Sequence, residues 1–363
     1  MVTGPRQVGK TTLSKQLMST FADSQYLNWD VLGDRAILQR QSWNPRSGLL
    51  VMDEIHKMRA WKPWLKGVID ARPATQALLV TGSARMETFR QSGESLAGRY
   101  FSFRLHPISV REWCEQQNVA PPDALDHLIA RGGFPEPCLA ADATHAERWR
   151  NQYFTDLIRE DVLEFSRLQE INTMRLFVEL LRERVGSPLS LASIARDLAT
   201  STTTLKRYLE ILQALFIVFT VQPWHRNIAR AILQTPKVYF YDNGLVRGDM
   251  GVKFENAVAG MLLKHTHFLQ DTTGADTGLH YVRTKDGAEV DFALSNGDEL
   301  THLIECKRSD NKPHRALTRF AGEQGSRGRQ IEALQLVHEL RQEEHHQGVM
   351  IKDAAKWLAT LAA

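Results

Sequence analysis

The chain has 363 residues, of which 43% are hydrophobic and 24% charged, and its formal net charge is +3. These values belong to an ordinary globular protein of about two or three domains, and they exclude a polycation, so any surface for nucleic acid must be a local patch. Three widely spaced cysteines, Cys114, Cys138 and Cys306, form no CxxC pair, which argues against a disulfide framework or a cysteine zinc site and suits a reducing cytosol.

The first element is a phosphate-binding loop. Gly4, Pro5, Arg6, Gln7, Val8, Gly9, Lys10 and Thr11 fit the spacing GxxxxGK[ST], and Thr12 follows. Glycines let backbone N–H groups turn toward phosphate oxygens. A helix beginning near Lys10 directs its positive dipole end to the same place. Lys10 reaches the β- and γ-phosphates, and the Thr11 hydroxyl is a ligand for Mg²⁺. Leu13 and Leu17, four apart, predict the apolar face of that helix. Ahead of the loop only Met1, Val2 and Thr3 are left to form a strand, where about five residues are usual. The expectation is either an upstream start or an unusually short central strand.

"GLLVMDEIHK" follows, with Leu49 to Met52 as a buried strand and Asp53 and Glu54 at its C-terminal end. In parallel sheets the ligand lies at that edge. Asp53 is predicted to hold Mg²⁺, commonly through water, and Glu54 to polarise the attacking water. An Asp-Glu pair after a strand also serves as a plain loop start, but its company with the loop favours the site. A third strand, "QALLVTGSAR", brings Ser83 to the same edge, as a γ-phosphate sensor or as a helix cap. Arg99 in "SLAGRYFSFRL" precedes a fourth apolar strand. It is placed either as a finger onto a neighbouring subunit's phosphate, which implies a homo-oligomer, or in a surface salt bridge.

Beyond "HPIS" the pattern is helical. "LDHLIARGGFPEP" ends a helix at Gly132 and Gly133 and turns at Pro135 and Pro137. In "PLSLASIARDLATSTTTLKRYLEILQALFIV", Leu191, Ile194, Ala195 and Leu198 share a helical face, as do Leu205, Tyr208, Leu209 and Leu212. Ser201 is placed to cap the second helix, and a short apolar strand follows. The reading is helix-turn-helix with a wing-like continuation. Its second helix exposes Thr202, Thr203, Lys206 and Arg207, which suit base edges and phosphates. DNA is the expected partner, a protein the alternative. The most apolar stretch, "ILQALFIVFTVQ", is broken by Gln213 and is too short to span a bilayer. With no signal peptide in view, a soluble cytoplasmic protein without membrane association is expected.

In the last third, Asp286-Gly287 and Asn296-Gly297 are hairpin-turn signals that divide the segment into three strands. Period two puts Glu289, Asp291 and Ala293 on one face and pairs Glu305 with Lys307. Upstream, Glu255 lies on a helix in "KFENAVAGMLL".

The marks "GPRQVGKTT", "LLVMDEIHK", "LLVTGS", "SLAGRYFSFRLHPIS", "RGGFPEP", "TPKVYFYDNGL" and "IECK" together resemble the prokaryotic AAA-type P-loop ATPases that carry a C-terminal domain of unknown function. The resemblance covers essentially the whole chain. It implies ATP and Mg²⁺ as cofactors and hydrolysis to ADP and phosphate. Two departures stand out: the family normally carries a segment ahead of the loop, and its wider group commonly has Asn where Ser83 stands. The D…ExK pattern resembles the PD-(D/E)XK nuclease core. That resemblance implies Asp291 and Glu305 as ligands of a divalent ion, Lys307 as a partner for water or charge, and Glu255 as a further acid; exposed charged strand faces give the same pattern without cleavage. The fold class expected is α/β: an AAA-like parallel-sheet P-loop domain (1–108), a helical lid and linker (109–180), a winged helix-turn-helix (181–235) and a C-terminal α/β restriction-endonuclease-like domain (236–363). The function expected is ATP hydrolysis coupled to DNA binding. The alternatives are a nucleotide-regulated binding module without cleavage and an ATP-gated, metal-dependent nuclease.

Overall fold

The structure is a computed structural model that describes residues 1–82, 96–158, 168–224, 235–284, 287–309, 312–325 and 331–363. They form two compact units. Unit 1 is Met1–His106 with Ala214–Phe216, and unit 2 is Pro107–Gln213 with Ile217–Ala363.

Unit 1 is built on a parallel sheet of β1 (Val2–Thr3), β2 (Gln25–Asn28), β3 (Leu49–Asp53), β4 (Ala77–Thr81) and β5 (Phe103–Arg104), in the order β2-β3-β4-β1-β5. Helices α1 (Lys10–Met18), α2 (Leu32–Arg40) and α3 (Trp61–Ala71) lie between the strands in sequence. Every residue of β3 is buried, as the near-continuous apolar run of an interior parallel strand requires. α3 buries Trp61, Leu65 and Val68 on one face. They join Leu27, Leu50, Met52 and Val80 in the core. β1 has two residues but stands between β4 and β5, and its ladder is lengthened by the Phe103 and Leu105 N–H groups, which donate to the Met1 and Thr3 carbonyls at 2.9 and 2.8 Å. The expected Leu13/Leu17 face of α1 is the one turned inward, since Lys10, Leu13, Ser14 and Leu17 fall at i, i+3, i+4 and i+7, but its far end is uncovered. Leu17 is 37% exposed, and the buried residues are Lys10 and Ser14.

Unit 2 opens with α4 (Val110–Gln117), α5 (Pro121–Arg131), α6 (Pro135–Leu139), α7 (Ala143–Leu157), α8 (Leu168–Arg182), α9 (Leu191–Asp197) and α10 (Thr202–Ala214). The strands β6 (Val218–Pro223) and β7 (Lys237–Phe240) follow, then the 24-residue α11 (Met250–Thr273), β8 (Thr277–Arg283), β9 (Glu289–Asn296) and β10 (Glu299–Lys307). The chain closes with α12 (Arg315–Gly325), β11 (Glu332–Val337), β12 (Glu344–His346), β13 (Val349–Asp353) and α13 (Ala354–Leu358). All eight strands make one mixed sheet, ordered β12-β13-β11-β10-β9-β8-β6-β7. β8, β9 and β10 are the three antiparallel strands expected from the turn signals. Asn296 pairs with Glu299 across the second turn, whereas Asp286 of the first lies outside the described residues.

The helical segment and the strand that follows the helix pair take their places here. The described helices of segment 109–180, expected as a lid and linker, fall in unit 2. Polar ties hold them there: Asn243 Nδ2 donates to the Ile129 carbonyl at 3.0 Å, and Lys264 pairs with Glu112. The strand expected as a wing is β6, and it is an interior strand of the large sheet, bonded to β7 on one side and β8 on the other. The helix pair itself forms as read. Leu205, Tyr208, Leu209 and Leu212 are buried, and the Ser201 hydroxyl accepts the Thr204 N–H at 3.0 Å.

The marks "RGGFPEP" and "YFYDNGL" meet at a buried ion pair. Arg150 Nε donates to Asp242 Oδ2 at 2.8 Å, with both side chains nearly closed to solvent. Arg150 also donates to the Arg131 carbonyl at 2.8 Å, and Asp242 accepts the Gly244 N–H at 3.0 Å. Gly132 has φ +75°, and a Cβ there would stand 2.1 Å from Asp242 Oδ1. Breaking such a pair by truncating one member strands the other charge. Asp242→Ala is therefore expected to cost about 3–5 kcal/mol of stability, read as a lowered urea midpoint for the unit 2 transition; a loss below about 1 kcal/mol, the size of a surface pair, would contradict this account.

Candidate functional site

At the C-terminal edge of the unit 1 sheet, Asn28, Asp53 and Thr81 lie in register on neighbouring strands, and the loop leaves β1 beside β4. Gly4 is required at the exit: its φ is +151°, and a Cβ would stand 2.3 Å from the Leu105 carbonyl oxygen. Pro5 and Val8 are buried, Arg6 is half-buried and Gln7 is exposed in left-handed backbone. Gly9 is the N-cap of α1 and supplies no side-chain hydrogen bond, so the first-turn N–H groups beside Thr11 and Thr12 are left for a ligand.

Lys10 is 7% exposed, and its ammonium donates to the Gly4 and Pro5 carbonyls at 3.0 and 2.6 Å. Burial brings Lys10 down to about 8, with Glu54 and Asp53 pulling the other way. Asp53 is buried and receives three hydroxyls. Thr11 donates to Oδ2 at 2.9 Å, Tyr26 to the same oxygen at 2.5 Å, and Thr81 to Oδ1 at 2.5 Å. A hydroxyl and a carboxylate side by side at a helix N-terminus form a hard-oxygen set that fits Mg²⁺. Glu54 adopts left-handed backbone with φ 57°, a conformation costing a non-glycine residue about 1–2 kcal/mol and concentrated at functional sites. Its Oε2 lies 3.4 Å from Lys57 Nζ and 3.6 Å from His56 Nε2. Burial raises the Glu54 carboxyl, Lys57 opposing and Asp53 adding to the shift.

The structure thus brings Gly4 to Thr12, Asp53 and Glu54 together. Ser83 lies outside the described residues. Arg99 donates to Asp70 Oδ1 at 3.0 Å in an exposed ion pair. The sequence reading missed Tyr26 and Thr81, whose only signal was a hydroxyl near the end of a strand bordering the acidic one.

The second group of expected residues lies on β9, β10 and α11 in unit 2. Asp291 Oδ2 accepts the Cys306 N–H at 2.9 Å, and Glu305 Oε1 accepts Lys307 Nζ at 2.7 Å with His314 Nδ1 at 3.1 Å. Glu255 Oε1 accepts the Tyr239 hydroxyl at 2.7 Å. Between Glu255, Glu289 and Asp291 sits Lys237 of β7, which the sequence reading missed. Its Nζ is 2.6 Å from Glu289 Oε1 and 3.7 Å from both Glu255 Oε1 and Asp291 Oδ1. Burial works against its charge, but Glu255, Asp291 and Glu289 outweigh it and hold Lys237 up at about 12. Burial and the Asp291 charge push Glu255 up to about 7 and Glu305 up to about 8. Among the described residues no three His, Cys, Asp or Glu side chains form a group that could hold a metal ion. Nitrogen donors face the two carboxylates expected to hold a divalent ion: the Cys306 N–H and Lys237 at Asp291, and Lys307 at Glu305. Thr202, Thr203, Lys206 and Arg207 are exposed on α10, opposite its buried face.

Residues 1–114 match a family described as an AAA domain. Residues 122–254 match a domain of unknown function, DUF8612, and residues 250–353 another, DUF4143. Uncharacterized proteins of Mycobacterium bovis and Mycobacterium tuberculosis are each 29% identical over 307 residues, covering 80% of this chain and 66% of theirs. An uncharacterized protein of Haemophilus influenzae is 22% identical over 268 residues, covering 70% of this chain and 64% of its own. The chain thus spans just under two thirds of the length of these relatives. The matches support an AAA-type module of the ATP-binding kind at the N-terminus, followed by a C-terminal domain of unknown function. No helix among the described residues is long and apolar enough to cross a membrane.

The Lys10 environment generates a pH-dependent prediction. Phosphate oxygens restore the charge that burial disfavours, so above pH of about 8 ATP binding should take up a proton, and affinity should fall as pH rises further. Calorimetry at pH of about 9 in buffers of different ionisation enthalpy is expected to show this uptake, and at pH of about 7 to show little of it; equal heats in all buffers at the higher pH would contradict it.

Proposed function

We propose that this protein binds ATP with Mg²⁺ and hydrolyses it to ADP and phosphate. The observation that carries the reading is the Thr11–Asp53 hydrogen bond of 2.9 Å, which ties the phosphate loop to the acidic strand, with Glu54 the next residue. Lys10 exchanges its two loop carbonyls for phosphate oxygens. Thr11 and Asp53 would hold Mg²⁺, which when bound would supply positive charge against that of the phosphates. Glu54, raised by its burial, takes a proton from the attacking water as the water oxygen bonds to phosphorus and ADP departs. Tyr26 and Thr81 hold the Asp53 carboxylate in place. Ser83 as a γ-phosphate sensor is part of the same reading. So is Arg99 acting on a neighbouring subunit, since its exposed pair with Asp70 is one that costs little to break.

The reading extends to DNA through α10. Thr202, Thr203, Lys206 and Arg207 form an exposed, hydroxyl-rich and basic face suited to phosphates and base edges. ATP turnover would then be coupled to the state of that contact. A protein partner on the same face is the competing reading. Metal-dependent cleavage forms no part of the proposal, because the carboxylates of unit 2 are already met by lysines.

Glu54→Gln is expected to keep ATP affinity while turnover falls about 100-fold or more, and Lys10→Ala to lose tight binding itself. Equilibrium binding and steady-state phosphate release measure the two; wild-type turnover in Glu54→Gln would remove Glu54 from the role. For DNA, Lys206→Ala and Arg207→Ala should each weaken duplex binding and reduce the salt slope by about one unit per lost phosphate contact. Salt-independent isotherms, unchanged by either substitution, would favour the protein partner.

A further inference from the structure

We infer that Lys237 is the resident cation of the unit 2 carboxylate centre, balancing with a buried ammonium the charge that the D…ExK pattern would assign to a divalent metal. Lys237 is 1% exposed. On one side it meets Glu289 at 2.6 Å, with Glu255 and Asp291 each at 3.7 Å. On another its ammonium stands 5.4 Å from the centre of the Tyr281 ring, a cation–π contact. The carboxylates come from separate elements, Glu255 from α11 and Glu289 and Asp291 from β9, and Lys237 itself lies on β7. One ammonium therefore joins β7, α11 and β9.

Mg²⁺ demands oxygen ligands at about 2.0–2.1 Å in near-octahedral geometry and keeps waters of its own. Each of these carboxylates already has an oxygen given to a donor. Asp291 gives Oδ2 to the Cys306 N–H and turns Oδ1 to Lys237. Glu305 gives Oε1 to Lys307, with His314 Nδ1 3.1 Å away, and Glu255 gives Oε1 to Tyr239. A metal entering between Glu255, Glu289 and Asp291 would have to expel Lys237, leaving a buried ammonium without a counter-charge. The centre thus keeps its shape without metal. Lys237 is also what shuts metal out: replacing its ammonium with a neutral group leaves three carboxylates facing one another, and like charges so placed require a new cation.

The test uses the full chain without nucleotide. Mn²⁺ is titrated by calorimetry and by the electron paramagnetic resonance signal of the free ion. Wild type and Asp291→Asn are expected to give the same isotherm, with a melting temperature indifferent to Mn²⁺ and to chelator. Lys237→Gln is expected to acquire an Mn²⁺ site at least about ten-fold tighter than anything in wild type, lost again in Lys237→Gln/Asp291→Asn. If Lys237→Gln fails to fold, Lys237→Gln/Glu289→Gln, which removes the cation together with its nearest acid, is expected to recover cooperative melting. Wild-type Mn²⁺ binding abolished by Asp291→Asn would overturn the inference. So would a folded Lys237→Gln with no gain in Mn²⁺ affinity, or a double variant that melts no better than an unfolded single one.

Discussion

A carboxylate buried at the end of a parallel strand has to be met by donors, and unit 1 is arranged around meeting Asp53. Three hydroxyls reach it, from α1, β2 and β4. Thr11 thereby fixes the helix that follows the phosphate loop, and Thr81 fixes the strand lying between the loop and the acids. Tyr26 secures the strand on the far side. A hydrogen bond to a charged acceptor contributes more than one between neutral groups, about 1.5–3 kcal/mol, so these contacts position the loop as well as satisfy the acid. The remaining polar groups follow from the same arrangement. Lys10 is buried against loop carbonyls, and Glu54 is held in left-handed backbone at the rim.

Unit 2 solves the same problem with ions in place of hydroxyls. Arg150 and Asp242 pair inside it, and Gly132 and Gly244 leave room for the pair because a Cβ at either would strike it. Lys237 stands among Glu255, Glu289 and Asp291, while Lys307 covers Glu305. Buried pairs of this kind add little net stability, but losing one partner is costly. The tolerance of the two sites to substitution should therefore differ. A hydroxyl lost at Asp53 leaves others in place, whereas an ion lost in unit 2 leaves a bare charge.

The strand after α10 shows where reading along the chain stops working. It has the pattern of a wing. Amphipathic period tells which face of an element is buried and says nothing of what it is buried against. β6 is apolar enough to lie inside a sheet, and it does so, between β7 and β8.

By itself the sequence determined the parts whose physics is local. The loop follows from glycine and lysine spacing, the acidic edge from Asp53-Glu54 after an apolar run, the cap from Ser201, and the hairpins from their turn residues. Each depends on neighbours within a few positions, where covalent geometry dictates the outcome. Tertiary structure alone decided that Tyr26 and Thr81 converge on Asp53, that Arg150 meets Asp242, and that a lysine in the otherwise apolar strand Lys237–Phe240 enters a nest of acids. These contacts join residues far apart in the chain. Their partners are chosen by the need to compensate a buried charge, and that need arises only once packing has removed the water.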